Sequence, residues 1–238
     1  MLLGGLSEQP KKMYETAIEV AKKHLFFRPM VPKEADILFS GNVKVYPDSV
    51  INDGQGQHLA CFVGGMVGIA SKIFDRPDDL VTARKLVDGC IWAYESMRSG
   101  IMPEVFQTVV CGNTTSCPYD EKVSRPLNLS HFHANSFHKL NQILYGSKWP
   151  KLIRNKQNAD ISPFYPGFAG IDDTRYILRP EAIESIFILY RITGDEALRD
   201  HAWTIFQAIE KATATEFGNS AIDEYVLPLF LPYSPPLI

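Results

Sequence analysis

Apolar positions along this chain fall into two kinds of helical segment, and the two kinds alternate. Residues 58 to 74 carry Leu59, Phe62, Val63, Met66, Val67, Ile69, Ala70 and Ile73, with Gly64, Gly65 and Gly68 among them. That pattern is apolar nearly all round, so it predicts a buried helix whose glycines admit close neighbours. After the turn Asp75-Arg76-Pro77-Asp78, the stretch from Asp79 to about Met97 keeps one apolar stripe of Leu80, Ala83, Leu86, Val87, Cys90, Ile91 and Tyr94. This is an amphipathic, outer helix. The order recurs in 180 to 191, apolar nearly all round, then Thr193-Gly194-Asp195, then an amphipathic 196 to 213 with Leu198, Ala202, Ile205, Phe206 and Ile209. Inner helix, tight turn, outer helix, twice over, predicts an all-α fold of stacked helical hairpins with the inner helices around a common axis, as in an (α/α) barrel.

The remaining segments are less regular. Residues 7 to 26 set Met13, Ala17, Val20, Ala21 and Leu25 against Lys11, Lys12, Glu15, Glu19, Lys22 and Lys23, which predicts a half-exposed helix. Residues 36 to 46 break the helical period, and the Gly41-Asn42 step between short apolar runs suggests a small β-hairpin, followed by a loop from Asp53 to Gln57. Residues 124 to 170 are polar and poorly periodic, with Pro126, Pro150, Pro163 and Pro166. The tail from Tyr225 to Ile238 is apolar but carries Pro228, Pro232, Pro235 and Pro236, so it cannot continue a helix.

Candidate chemistry concentrates at Tyr176-Ile177-Leu178-Arg179-Pro180-Glu181-Ala182-Ile183-Glu184-Ser185. Pro180 suits a first helical position, and Glu181 and Glu184, three apart, share one face of the first turn. Acidic residues there ordinarily complement the helix dipole. The helix behind them is predicted to be buried, however, and charges at a buried helix end serve a ligand or a partner. In a barrel of hairpins the starts of the inner helices meet at one rim, which would bring His58 and Glu181 together. Glu104, in the loop Ser99-Gly100-Ile101-Met102-Pro103-Glu104, is expected beside them.

Composition narrows the setting without naming a function. The 238 residues are 45% hydrophobic and 21% charged, with a net charge of −3 and pI near 6.1, which leaves no electrostatic footprint for nucleic acid. No apolar run is long enough to span a bilayer, and Met1-Leu2-Leu3-Gly4-Gly5 is too short for the apolar core of a signal peptide. The four cysteines, Cys61, Cys90, Cys111 and Cys117, fit no zinc spacing and allow two disulfides, with Cys111 and Cys117 flanking a short loop. Asn113-Thr114-Thr115 and Asn128-Leu129-Ser130 are glycosylation sequons, meaningful in a secretory chain. His131, His133 and His138 lack the structured context of a metal site, and Trp92 and Trp203 on outer helices read as packing.

Four stretches carry a specific resemblance: His58 to Met66, Gly89-Cys90-Ile91-Trp92-Ala93-Tyr94, Gly100-Ile101-Met102-Pro103-Glu104, and above all Tyr176 to Gly194. The chain resembles glycoside hydrolase family 47, the class I α-1,2-mannosidases, most of all its fungal members, over about residues 1–123 and 148–223. The resemblance implies a toroid of helical hairpins with a calcium ion at its base and inverting hydrolysis of mannose from high-mannose N-glycans on glycoproteins. It implies Glu181 as the carboxylate base, Arg179 and Glu184 lining the pocket, and His58 and Glu104 contacting sugar or its waters. Cys61 and Cys90 resemble the family's disulfide pair. The implied location is the secretory pathway, in the endoplasmic reticulum or Golgi, or outside the cell, with no nucleic acid and no membrane span in this chain.

The departures shape further expectations. The family's proton-donating glutamate and a further catalytic aspartate belong before Met1, and its calcium-binding threonine, in a Thr-Glu-Ala-His segment, belongs after residue 223. No metal ligand is therefore assigned in this chain, and by itself it is expected to be an incomplete barrel with negligible activity. Residues 1–223 are read as a partial catalytic domain. Within it 124–147 is a non-family insert, and 224–238 is an aberrant tail. Ser124 to about Tyr145 and Tyr225 to Ile238 read as translated introns. A lectin-like, non-catalytic glycan binder and a truncated product without a stable fold are the competing readings.

Overall fold

A computed structural model describes residues 6–113, 115–124 and 165–222. The predicted insert beyond Ser124, the three histidines within it and the tail lie outside the described residues.

Helix α1 (Gln9–Val20) runs into a π-helical turn at Ala21–Leu25. The pairs β1 (Phe26–Phe27) with β2 (Phe39–Ser40), and β3 (Val43–Tyr46) with β4 (Ser49–Asn52), are both antiparallel. The expected hairpin is thus displaced. Gly41-Asn42 is not its turn but the step between two sheets, and the chain reverses at Pro47-Asp48 instead. Gly41 is needed there for contact, since a Cβ on it would meet the Phe27 ring at 2.8 Å and Asn52 Oδ1 at 2.7 Å.

The predicted helical hairpins are present. A 3₁₀ turn at Leu59–Cys61 leads into α2 (Phe62–Ile73), which α3 (Pro77–Glu95) follows. The second hairpin is α4 (Glu181–Thr193) and α5 (Glu196–Thr213). Gly194, with φ of 71°, closes α4 in the left-handed region, and the Asp195 side chain caps α5 by accepting from the Ala197 N–H at 3.1 Å. Inner helices α2 and α4 pack on each other and α2 packs on α3, and the α2 glycines set both approaches. A Cβ on Gly64 would lie 2.6 Å from Val87 Cγ2, and one on Gly68 would lie 2.7 Å from Leu189 Cδ1. Cys61 and Cys90 form a disulfide that ties the start of α2 to α3, with Cα atoms 6.1 Å apart.

Burial of α2 is one-sided, which corrects the expectation of an apolar helix covered all round. Val63, Val67 and Ala70 are buried, whereas Phe62, Met66, Ile69 and Ile73 form a stripe at i, i+4, i+7 and i+11 that is left 41 to 45% exposed among the described residues. Charge is buried at the other side of the hairpin. Asp79 is 0% exposed and accepts from Arg76 Nε at 2.7 Å and from the Tyr14 hydroxyl at 3.2 Å, with Lys22 as a third partner. Burial alone would raise the Asp79 carboxyl, but the bonds from Arg76 and Lys22 outweigh it and hold it below the usual carboxylate range. Trp92 is packing, as expected, stacked on Phe168 with centroids 4.9 Å apart. Trp203 is not, being 60% exposed and stacked on Phe206 alone among the described rings.

The segment expected to be a loop at Asp53 to Gln57 is partly β5 (Gln55–Gln57), one edge of a three-stranded antiparallel sheet with β6 (Val105–Gln107) in the centre and β7 (Gly170–Asp173) beyond. Gly56 permits this pairing, because a Cβ there would come within 2.2 Å of Phe106 Cζ on the facing strand.

Candidate active site

The three-stranded sheet assembles the site through its register. Gln57 pairs with Val105, and Val105 with Asp173, so the residues just outside these pairs come together at one sheet end. The His58 N–H donates to the Glu104 carbonyl at 3.0 Å, and the Glu104 N–H donates to the Arg175 carbonyl at 3.1 Å. Backbone pairing thus aligns His58, at the entry to α2, with Glu104 and with the segment entering α4. The chain then has to turn sharply from Tyr176 into α4. Leu178 makes the turn with φ of 60°, a conformation that costs a leucine roughly 1 kcal/mol or more. Pro180 is the residue before the helix, one place earlier than the sequence predicts.

Four of the predicted site residues meet there. Arg179 Nε donates to Glu104 Oε2 at 2.6 Å, and its Nη1 lies 3.8 Å from Glu181 Oε1. His58 Nδ1 faces Glu181 Oε2 at 3.6 Å. The two glutamates are unlike in their surroundings: Glu104 is 7% exposed behind the guanidinium, while the Glu181 side chain is 16% exposed. Glu184, in the same first turn as Glu181, is exposed and makes no hydrogen bond or ion pair with the other four.

His58 is the electrostatic pivot. It is fully buried, and its Nε2 lies 2.6 Å from the Tyr94 hydroxyl. Burial, and then the Arg179 charge, push the imidazole down to about 4, so at neutral pH it is uncharged and its contact with Glu181 is not an ion pair. The neighbouring Tyr176 phenol is pushed up to about 12, by burial first and by the Glu181 and Glu104 charges after it, against a bond from Tyr94. Tyr94 and Tyr176 flank the imidazole edge-on and tilted, with centroids 5.6 and 5.7 Å away.

Three buried polar atoms here have no hydrogen-bond partner among the described residues: His58 Nδ1, Glu104 Oε1 and Glu181 Oε2. Orphaned groups of this kind are rare in folded proteins, and three around one point mark a place built for a polar ligand or its waters. A groove of about 1020 Å³ lies elsewhere, along α1 and Val43. Its lining is mainly apolar, with Met13, Ala17, Val20 and Leu25, and its polar members Gln9, Lys12, Thr16 and His24 include no carboxylate, so the candidate site is the carboxylate cluster and not that groove.

Calcium has a partial fit. Among the described residues no three His, Cys, Asp or Glu side chains group closely enough to hold a metal ion directly. The orphaned oxygens of Glu104 and Glu181 offer acceptors for the water ligands of an ion and not a first coordination shell.

The sequence left two parts of this arrangement unread. Tyr94, the partner of His58, looks like one more apolar position in the α3 stripe, and only its hydroxyl distinguishes it. The strain at Leu178 has no sequence signal at all.

Comparison with known proteins agrees with the geometry. The profile of glycosyl hydrolase family 47 matches residues 1–226. A probable mannosyl-oligosaccharide alpha-1,2-mannosidase 1B of Aspergillus fumigatus is 33% identical over 166 residues, covering 70% of this chain and 25% of the relative. The mannosyl-oligosaccharide alpha-1,2-mannosidase of Penicillium citrinum is 28% identical over 219 residues, covering 91% of this chain and 33% of the relative. An alpha-1,2-mannosidase from Trichoderma reesei superposes with a TM-score of 0.62 at 24% identity over 90% of this chain and 36% of that one, a likeness of fold. The chain therefore spans about a quarter to a third of the length of these curated relatives.

Proposed function

Because the chain belongs to glycosyl hydrolase family 47, with the helical-hairpin fold of an (α/α) barrel, we propose that it forms part of the active site of a calcium-dependent, inverting α-1,2-mannosidase that trims high-mannose N-glycans of glycoproteins. The observation that carries this reading is the convergence of His58, Glu104, Arg179 and Glu181 on three orphaned polar atoms at one sheet end. Glu181 takes the role of base, since it is the more exposed of the two carboxylates and lies farther from the Arg179 guanidinium, at 3.8 Å against 2.6 Å for Glu104. It removes a proton from the water that attacks the anomeric carbon as the glycosidic C–O bond breaks, and the departing oxygen is protonated by a second carboxyl group. Arg179 fixes Glu104 and screens the two carboxylates from each other. The neutral imidazole of His58, held at Nε2 by the Tyr94 hydroxyl, presents Nδ1 toward Glu181 at 3.6 Å. Glu184, exposed on the same first turn, is free to meet the sugar. A calcium ion, when bound, supplies electrostatic placement of the nucleophilic water.

The two disulfides accord with a secretory-pathway or secreted protein. The test is mannose release from a high-mannose oligosaccharide by the longest product of the gene, with and without added calcium. Glu181→Gln should lower turnover by about 10² to 10⁴ while the glycan is still retained. Retention without turnover in the unaltered protein, equal in both forms, would replace this reading with that of a glycan-binding protein.

A further inference from the structure

We propose that Asn113 is a site of N-linked glycosylation. The inference rests on the secretory reading above and goes beyond it. Asn113-Thr114-Thr115 carries the acceptor pattern, and it is the one such sequon in which the described residues include the asparagine. Cys111 and Cys117 are bonded to each other and buried, so they anchor the two ends of the loop, while Gly112, Asn113, Thr115 and Ser116 face solvent.

The amide is poised with its nitrogen outward. Asn113 Oδ1 accepts from the Thr115 N–H at 2.8 Å and from the Thr115 hydroxyl at 2.7 Å, which commits the oxygen end to the loop. No hydrogen bond from Nδ2 is present among the described residues. Every described residue between the two cysteines is exposed, so the asparagine stands on an open face of the loop. A sugar on Nδ2 therefore enters water without displacing any described packing. The folded loop is compatible with the modification, as a buried asparagine would not be.

The donor required is an oligosaccharide linked to a lipid diphosphate. The Nδ2–C1 bond forms as the bond from C1 to the phosphate oxygen breaks, the lipid diphosphate leaves, and the amide nitrogen gives up one proton. Transfer to the extended chain comes before Cys111 and Cys117 join, and closure then holds the glycan on the outside of the loop. Both steps belong to the same oxidising compartment.

The experiment is peptide mapping of the protein isolated from its own cells, without reduction, before and after treatment with an amidase that converts a glycan-bearing asparagine into aspartate. The expected result is a Cys111–Cys117 peptide that carries hexose-rich mass and yields aspartate at 113 after treatment. Thr115→Ala should abolish that mass, and Thr115→Ser should retain it. Unmodified Asn113 beside an intact Cys111–Cys117 bond overturns the proposal and leaves the secretory reading standing. Unmodified Asn113 with both thiols free overturns the two together.

Discussion

Neutral burial of His58 makes stability depend on pH in a way that one substitution isolates. In the unfolded chain its imidazole titrates near the ordinary histidine value of 6.5, whereas in the fold burial and Arg179 bring it down to about 4. Between those values the unfolded state holds one more proton than the native state. Stability is then fully present above the upper value and is lost as pH falls through the window. The loss approaches about 1.4 kcal/mol for each pH unit, and on the order of 3 kcal/mol across the whole interval. That is a large share of the roughly 5 to 15 kcal/mol that holds a typical domain folded. Urea denaturation followed by tryptophan fluorescence, near pH 7 and near pH 5, measures it directly, and His58→Gln serves as the reference that cannot titrate. The variant should lose clearly less stability than the parent over the same interval. Parallel curves for the two proteins would refute the argument. Should His58→Gln fail to fold, Tyr94→Phe keeps both the imidazole and its burial, and its acid sensitivity should persist. An NMR titration in which the His58 ring protonates near 6.5 in the native state would also refute it.

Other expectations follow from the same geometry. Ser185→Ala removes the hydroxyl that accepts from the Gly65 N–H at 2.9 Å and donates to the Cys61 carbonyl at 2.6 Å, and should cost about 2 to 3 kcal/mol in chemical denaturation. Asp79→Asn leaves Arg76 and Lys22 facing a neutral amide in a buried setting and should cost roughly 3 kcal/mol or more, read as a lowered urea midpoint. Replacing Cys61 and Cys90 together by serine opens a loop spanning a sequence separation of 29 and should cost about 3 to 4 kcal/mol, seen as a lower melting temperature under non-reducing conditions. In the assayed enzyme, Arg179→Leu should depress turnover more than Glu184→Gln, because Arg179 and not Glu184 bridges toward both site carboxylates.

The helices and their order were legible from apolar periodicity, because α3 and α5 each expose one polar side and α2 and α4 do not. The carboxylates were legible too, as charges set at the mouth of an apolar helix. What the pattern could not supply was the sheet. Gln55-Gly56-Gln57 has no alternating apolar code, since its pairing is licensed by an absence: Gly56 leaves space for the Phe106 ring. The hairpin was misplaced for a related reason. Gly41 signals close contact as strongly as it signals a turn, and only the positions of Phe27 and Asn52 tell the two apart. The outward stripe of α2 was unreadable because hydropathy reports what a side chain prefers and not what lies beside it.

A site with three polar atoms unpartnered among the described residues and a leucine in a left-handed turn is held against its own preferences, so its surroundings must be stiffer than usual. Cys61 supplies much of that stiffness. It sits three residues after His58, joins α3 through the disulfide to Cys90, and joins α4 by accepting at its carbonyl from Ser185, four residues beyond Glu181. The Ser185 hydroxyl in turn accepts from Gly65, so one small group fixes the spacing of the two inner helices within a turn of both His58 and Glu181. The sheet aligns the same two regions from the other side through the His58, Glu104 and Arg175 backbone bonds. Held from both sides, the imidazole and the carboxylate cannot shorten their 3.6 Å separation to a hydrogen bond, so the frame itself keeps both atoms unpartnered among the described residues.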